Sequence, residues 1–380
     1  MKKVVFISWR DSENPEAGGA EVYNETLAKY LASNGYDVEL LVPGFSKASH
    51  SKHSDDIKIT RVGGKYTSYI FIPWYFVKNL RAQTDLLIEN FNGWPYLVPL
   101  LSKRSLIMFM HLQDEEWFDH FTGITKPLGY LFKYGTRFIL KTCYRSVPFA
   151  TISESSKNSI LGIGLTPKIL EFIHPGVDDK LFDNLLTKQQ LFEAKSKDKF
   201  IINFVGRLAK HKRPDVAVDL VHRLVEAGHD NLLLKIAGRG ELEADLKARV
   251  DRYGLQDYVE FLGFISEEEK RQLMEESHLH IQPSKFEGWG ITVVEAAAAG
   301  TPSIGYKVPG LVDSIGGTGG YLVDDNEELY NQVLEIIKSR SDIEGDYWLR
   351  AYSSQDLATQ YSWSSQCKKF EGLVSKLLSN

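Results

Sequence analysis

Cysteine is almost missing from this chain: Cys143 and Cys367 are the only two among 380 residues. Two cysteines so far apart exclude a disulfide framework and a cysteine-rich metal site. Proline is sparse, at 13 residues, and glycine, at 30, is only a little above average, which excludes a collagen-like chain or an array of disordered linkers. Long apolar runs are lacking too. The longest, residues 69–77, is interrupted by Pro73 and is too short to span a bilayer. The apolar start, residues 1–9, meets Asp11 and Glu13 at once and has no small-residue cleavage site after it. A signal peptide is therefore not expected, and the chain reads as cytoplasmic.

There is no basic excess. Lys and Arg number 45 against 50 Asp and Glu, a net charge of −5, which argues against a nucleic-acid partner. No Gly-x-Gly-x-x-Gly follows the first strand-like run or the one ending at Val205. A nicotinamide dehydrogenase is disfavoured by that absence. Repeats and low-complexity tracts are also missing.

What remains is ordinary soluble composition, 43% hydrophobic and 25% charged, over a length that suits two domains. Short apolar runs at residues 4–9, 38–42, 85–89, 106–110 and 149–152 alternate with longer amphipathic stretches such as residues 21–33. The pattern restarts at residues 200–205, with a helix expected at 214–227 and a strand at 232–237. Such alternation predicts an α/β fold with parallel sheets covered by helices on both faces. Between Asp178 and Lys199 periodicity lapses and charge accumulates. The boundary is placed there, dividing the chain into residues 1–180 and 181–363. In open parallel sheets ligands bind beyond the carboxyl ends of the strands, so residues just after strands are the ones to inspect.

Three places stand out on that criterion. Gly18 and Gly19 open the first helix, where free amides and the helix dipole favour an anion; a turn that merely needs small residues is the plainer reading. Phe204-Val205-Gly206-Arg207-Leu208, with Lys212 beyond it, offers a guanidinium and an ammonium to a diphosphate, or else an ordinary solvated charge run. The sharpest signal is Phe286-Glu287-Gly288-Trp289-Gly290-Ile291-Thr292-Val293-Val294-Glu295. Its glycines free the backbone to cradle phosphate at a helix start. Glu287 sits on the loop, whereas Glu295 lies a turn inside an apolar helix and must find a hydrogen-bonding partner there.

This last segment resembles the Glu-x7-Glu motif of retaining glycosyltransferases of family 4, which have two Rossmann-like domains facing across a cleft (the GT-B fold). The resemblance extends over nearly the whole chain, through Gly18-Gly19, His174-Pro175-Gly176-Val177-Asp178, Gly206-Arg207 with Lys212, Ala237-Gly238-Arg239-Gly240 and Phe261-Leu262-Gly263-Phe264-Ile265. It implies that Glu287 holds hydroxyls of the donor sugar and that Glu295 binds the nucleotide ribose. Gly290, Ile291 and Thr292 match backbone positions that face the diphosphate, which Arg207 and Lys212 neutralise. Gly18 and Gly19 match the turn whose amide approaches the phosphates, and Phe264 and Ile265 the stretch that frames the base. His111, at the end of an apolar run, resembles the family histidine that reaches the donor sugar, against the plainer reading of a hydrogen-bonded structural residue. Asp114, Glu115 and Glu116 beside it lack the partners a metal site needs.

The implied reaction moves a hexose from a nucleoside-diphosphate sugar, UDP being the commonest carrier, to a hydroxyl of a glycan, a lipid-linked or a small-molecule acceptor. Retention follows by front-face attack, and the leaving diphosphate is stabilised by preorganised charge, so neither a cofactor nor a metal ion is needed. In this fold the second domain binds the nucleotide sugar and the first binds the acceptor. The closing helix, about residues 364–380, is implied to return to the first domain. Alternatives sharing the fold are a phosphorylase and a sugar-nucleotide epimerase. A non-catalytic nucleotide-sugar sensor is the alternative from another class.

Residues 126–145 contain Lys126, Lys133, Arg137, Lys141 and Arg145 and no acid, interleaved with Tyr130, Phe132, Tyr134, Phe138 and Tyr144. Two readings stay open: a core helix with one solvated basic face, or a surface that lies on the inner face of an anionic membrane and presents a lipid-linked acceptor. Residues 66–76, aromatic around Pro73-Trp74, are open to acceptor-cleft wall or membrane contact.

Overall fold

The computed structural model describes every residue except 47, 55, 92, 111, 113–125, 196–198 and 380, and of Ser54 only the backbone. His111, Asp114, Glu115 and Glu116 lie outside the described residues. The chain divides into one unit of Met1–Pro175 with Ser364–Asn380 and a second of Gly176–Trp363.

In the first unit the strands are β1 Lys3–Ile7, β2 Asp37–Val42, β3 Ser51–Ser54, β4 Ile57–Arg61, β5 Leu86–Phe91, β6 Ser105–Phe109, β7 Phe149–Thr151 and β8 Leu170–Phe172. Their order across the sheet is β3-β4-β2-β1-β5-β6-β7-β8. All pair in parallel except β3, which runs antiparallel to β4. Val4, Val5, Phe6 and Ile7 are wholly buried, because helices cover both faces and leave no polar side to alternate with. The chain leaves β1 for β2 and later returns to β1's other side with β5, so the sheet's switch point lies between β1 and β5. The hairpin of β3 and β4 escapes the sequence pattern because Ser-Lys-His-Ser carries no apolar residue.

Glu89, inside β5, is a buried carboxyl that accepts hydrogen bonds from the Tyr144 hydroxyl at 2.6 Å and the Tyr96 amide at 2.7 Å. Burial outweighs those bonds and pushes its pKa up to about 7.

In the second unit β9 Phe200–Val205, β10 Leu232–Ala237, β11 Val259–Gly263, β12 Leu279–Gln282, β13 Ser303–Tyr306 and β14 Tyr321–Val323 form a sheet ordered β11-β10-β9-β12-β13-β14. Every pairing is parallel. Growth runs outward from β9 to β11 and then restarts at β12 on the other flank of β9. The loops after β9 and β12 therefore leave the sheet side by side, at its switch point.

The division at Pro175/Gly176 precedes the expected 180/181. The aperiodic stretch after it already belongs to the second unit's core: helix Lys188–Lys195 buries Leu191 and Lys195. The Lys195 ammonium is 1% exposed and donates to the Ser277 carbonyl at 2.7 Å and the Thr301 hydroxyl at 2.5 Å. What reads as linker charge is a docking contact. The closing helix, Trp363–Ser379, belongs almost wholly to the first unit, where Phe370 packs 6.2 Å from Phe6. Among the described residues no helix is long and apolar enough to cross a membrane.

Candidate active site

The switch point of the second unit brings Lys212, from the loop after β9, against Glu287, from the loop after β12. The two loops are tied by the Lys285 amide donating to the His211 carbonyl at 2.7 Å, and His211 stacks on Phe286 at 5.1 Å. The Lys212 ammonium pairs with Glu287 Oε1. The same oxygen accepts from Gln282 Nε2 at 2.7 Å and from the Ser284 hydroxyl at 3.0 Å. Glu287 Oε2 makes no hydrogen bond among the described residues. One oxygen is thus anchored by three donors, and the other is left to bind.

Two glycines shape the loop. Gly290 caps the helix Ile291–Ala298 with φ at +91°, a left-handed conformation that a side chain would strain. A Cβ on Gly310 would stand 2.3 Å from the Glu287 carbonyl oxygen, so only glycine lets that neighbouring turn press on the Glu287–Gly288 backbone. Between the carboxylates, Trp289 is 3% exposed and packs edge-on against Tyr361 at 5.2 Å. Helix Ile291–Ala298 presents the amides of Ile291 and Thr292, which as first-turn groups have no partner within the helix. The Thr292 hydroxyl reaches Gln282 Oε1 at 3.4 Å.

Glu295 lies on the same helix, with 14% of its side chain exposed. Its Oε1 accepts from Lys270 at 2.7 Å, while Oε2 is buried with no hydrogen-bond partner. Burial raises the carboxyl above its ordinary range, and Lys270 opposes that shift. Burial lowers Lys270 in turn, but the carboxylates of Glu295 and Glu267 outweigh it and leave the amine raised. Beneath the site His280 bonds Asn203 Oδ1 at 2.6 Å. Burial, with help from nearby Lys212, lowers its pKa to about 4, so the imidazole is neutral near pH 7.

Arg207 is exposed and makes no ion pair among the described residues. Phe264, 77% exposed, and the half-buried Ile265 form the turn between β11 and the helix Glu267–Glu276 that carries Lys270. In the first unit the Gly18 amide is already taken by Glu21 Oε2 at 2.7 Å. Gly19 begins the helix Gly19–Ser33 and keeps its amide outside the intrahelical ladder. Gln282, Ser284 and Lys270 were missed by sequence. The strand-end rule points to the first two, since Gln282 closes β12; Lys270 carries no local signal.

Residues 187–346 match the family described as Glycosyl transferases group 1, and residues 17–181 match Glycosyltransferase Family 4. Mannosylfructose-phosphate synthase of Agrobacterium fabrum is 31% identical to this chain over 76% of it and 71% of the relative. This chain belongs to glycosyltransferase family 4. The glycosyltransferase is also 23% identical to an uncharacterised glycosyltransferase of Methanocaldococcus jannaschii, over 97% of this chain and 96% of that one. Anabaena HepE, solved with UDP and glucose, shares its fold at a TM-score of 0.69 and 17% identity, with 99% of this chain and 100% of the other covered. Family membership makes the chain an enzyme of the glycosyltransferase class, which sets aside the non-catalytic sensor.

Proposed function

We propose that this glycosyltransferase moves a hexose, with retention, from UDP to a hydroxyl of a glycan, lipid-linked or small-molecule acceptor, without a metal ion or other cofactor. The observation that carries the donor reading is the split role of Glu287: Oε1 held by Lys212, Gln282 and Ser284, Oε2 left over. A carboxylate so fixed can accept from sugar hydroxyls without reorganising. Glu295 Oε2, buried and unpaired, suits a ribose hydroxyl, which would supply the missing donor.

As the sugar–phosphate bond breaks, negative charge gathers on the β-phosphate oxygen. In this reading Lys212, Arg207 and the amides of Ile291 and Thr292 stabilise that charge, with the helix dipole adding to them. The exposed Phe264 and the half-buried Ile265 offer apolar surface to the base. UDP is favoured by HepE, which was solved with UDP. The experiment is transfer from UDP-glucose, with EDTA present, followed by the proton spectrum of the anomeric centre. An α-linked product supports the reading; a β-linked product, or a strict metal requirement, overturns it.

We also assign the first unit to the acceptor and its outer helices to an anionic membrane surface. Helix Lys126–Cys143 buries Gly129, Thr136 and Leu140 while exposing Leu131, Tyr134 and Phe138. Helix Ser68–Asn79 packs Ile72 and Phe76 into the same core as Leu140, and exposes Ile70, Phe71, Trp74 and Val77. Neither helix contains an acid, and Lys78, Lys126 and Lys141 lie along them. Exposed aromatics beside cations, on helices that carry no acid of their own, fit a lipid interface better than bulk water.

A further inference from the structure

Beyond the carboxyl ends of β1 and β2, in the first unit, lies a pocket of about 290 Å³. Trp9, Arg10, Asn14, Glu16, Phe45 and Lys65 line it, with Pro15 and Pro43. We infer that this pocket is the acceptor site and that it takes an uncharged pyranose ring. The inference rests on the reading of the chain as a sugar-transferring enzyme and adds the class of acceptor to it.

Size comes first. The volume sits at the lower edge of small-molecule sites, which suits one ring and not an extended chain. Chemistry comes second. A pyranose has a flat face of C–H groups for an indole or phenyl ring, and a rim of neighbouring hydroxyls for planar groups with paired donors and acceptors. Trp9 and Phe45 supply the first, and Arg10, Glu16 and Asn14 the second.

Charge decides against an anionic ligand. Arg10 Nη1 lies 3.1 Å from Glu16 Oε2, and its Nε lies 3.3 Å from Glu21 Oε1. Lys65 reaches the same Glu16 oxygen at 3.3 Å. Among the described residues two cations are answered by two carboxylates, so a phosphate would meet Glu16 as well as the cations.

The walls are also held in advance, as a binding site requires. The guanidinium of Arg61, 2% exposed, bonds Asp11 at 2.7 Å and Glu13 at 2.7 Å and lies 5.1 Å over the Phe45 ring. From the helix side, Glu25 accepts from the Ser12 amide at 2.6 Å and its hydroxyl at 2.7 Å. The loop from Asp11 to Glu16 is therefore clamped from two directions while Trp9 packs on Tyr69 at 6.1 Å.

The test is saturation-transfer NMR on the full chain with methyl α- and β-D-hexopyranosides of the gluco, galacto and manno series, beside a calorimetric titration with UDP. The parent should transfer saturation to ring protons. Trp9→Ala should weaken the glycoside by about tenfold or more, Trp9→Phe less, and UDP binding should stay unchanged in both. Lys65→Ala, at a half-exposed residue, should weaken the glycoside a few-fold and covers the case in which Trp9→Ala fails to fold. Octyl glycosides form a second arm: stronger contact points to a lipid-borne ring and equal contact to a soluble glycan, and both support the pocket. A parent that binds UDP but no glycoside overturns the inference. So does glycoside binding indifferent to Trp9→Phe and Lys65→Ala, or a hexose 6-phosphate that competes better than the neutral ring. Glycoside binding that responds to these substitutions in a parent that ignores UDP would support the pocket and contradict the donor reading instead.

Discussion

Lys212 and Glu287, 75 residues apart in sequence, are ion-paired on an oxygen that Gln282 also holds at 2.7 Å. The pair spans the loops after β9 and β12, where the order of the sheet reverses. Its geometry explains why the glycines of the Glu-x7-Glu loop and the polar end of β12 belong to one device.

Gln282 should behave as a positioning residue. Gln282→Leu removes the amide that fixes Glu287 Oε1 while filling a buried position. A hydrogen bond to a charged group is worth roughly 1.5–3 kcal/mol, so turnover should fall by about ten- to a hundredfold. Steady-state kinetics with the donor varied checks this. A fall in kcat with an unchanged thermal midpoint supports the role.

Gly310→Ala places a methyl 2.3 Å from the Glu287 carbonyl oxygen, at a residue with φ of +83°. Destabilisation of more than about 1 kcal/mol is expected. Turnover should drop further than stability, because the displaced backbone is that of Glu287 and Gly288. Denaturant unfolding and activity measured on the same sample separate the two effects.

Glu89 should make stability depend on pH. Its folded pKa, about 7, exceeds the ordinary glutamate value, so the folded state holds a proton that the unfolded chain releases. The contribution is full below the unfolded pKa and is lost as pH rises toward 7, at about 1.4 kcal/mol per unit. Glu89→Gln should flatten that slope. Denaturant midpoints of both proteins from pH 5 to pH 7.5 test it; parallel curves would contradict the assignment.

For the membrane surface, Lys126, Lys141 and Arg145 are all exposed. Replacing the three with Glu should abolish sedimentation with phosphatidylglycerol vesicles, and Trp74→Ser should weaken it, while UDP affinity is untouched. Raised salt should release the parent in the same way. A parent that ignores anionic vesicles ends the idea.

Much of this was legible in sequence. β9 and β10 fall where the periodicity puts them, and the rule about strand ends points to the loops that carry Lys212 and Glu287, though it joins Lys212 to Arg207 and not to Glu287. Lys270 was not legible, since it sits in a polar helix where any lysine could be solvent-facing, and only folding brings it to Glu295. Lys195 misled because charge marks loops on average, yet this ammonium caps carbonyls in the interior. Trp9 lies beyond the strand that the apolar run suggests: β1 ends at Ile7, and Trp9 lines a pocket instead.

The most direct test of the donor site is a calorimetric titration of UDP, and of GDP beside it, into the parent and Lys212→Ala in EDTA. One nucleotide should bind the parent, and Lys212→Ala should bind it about tenfold or more weakly. Binding of neither nucleotide, or equal affinity in the variant, would contradict the account.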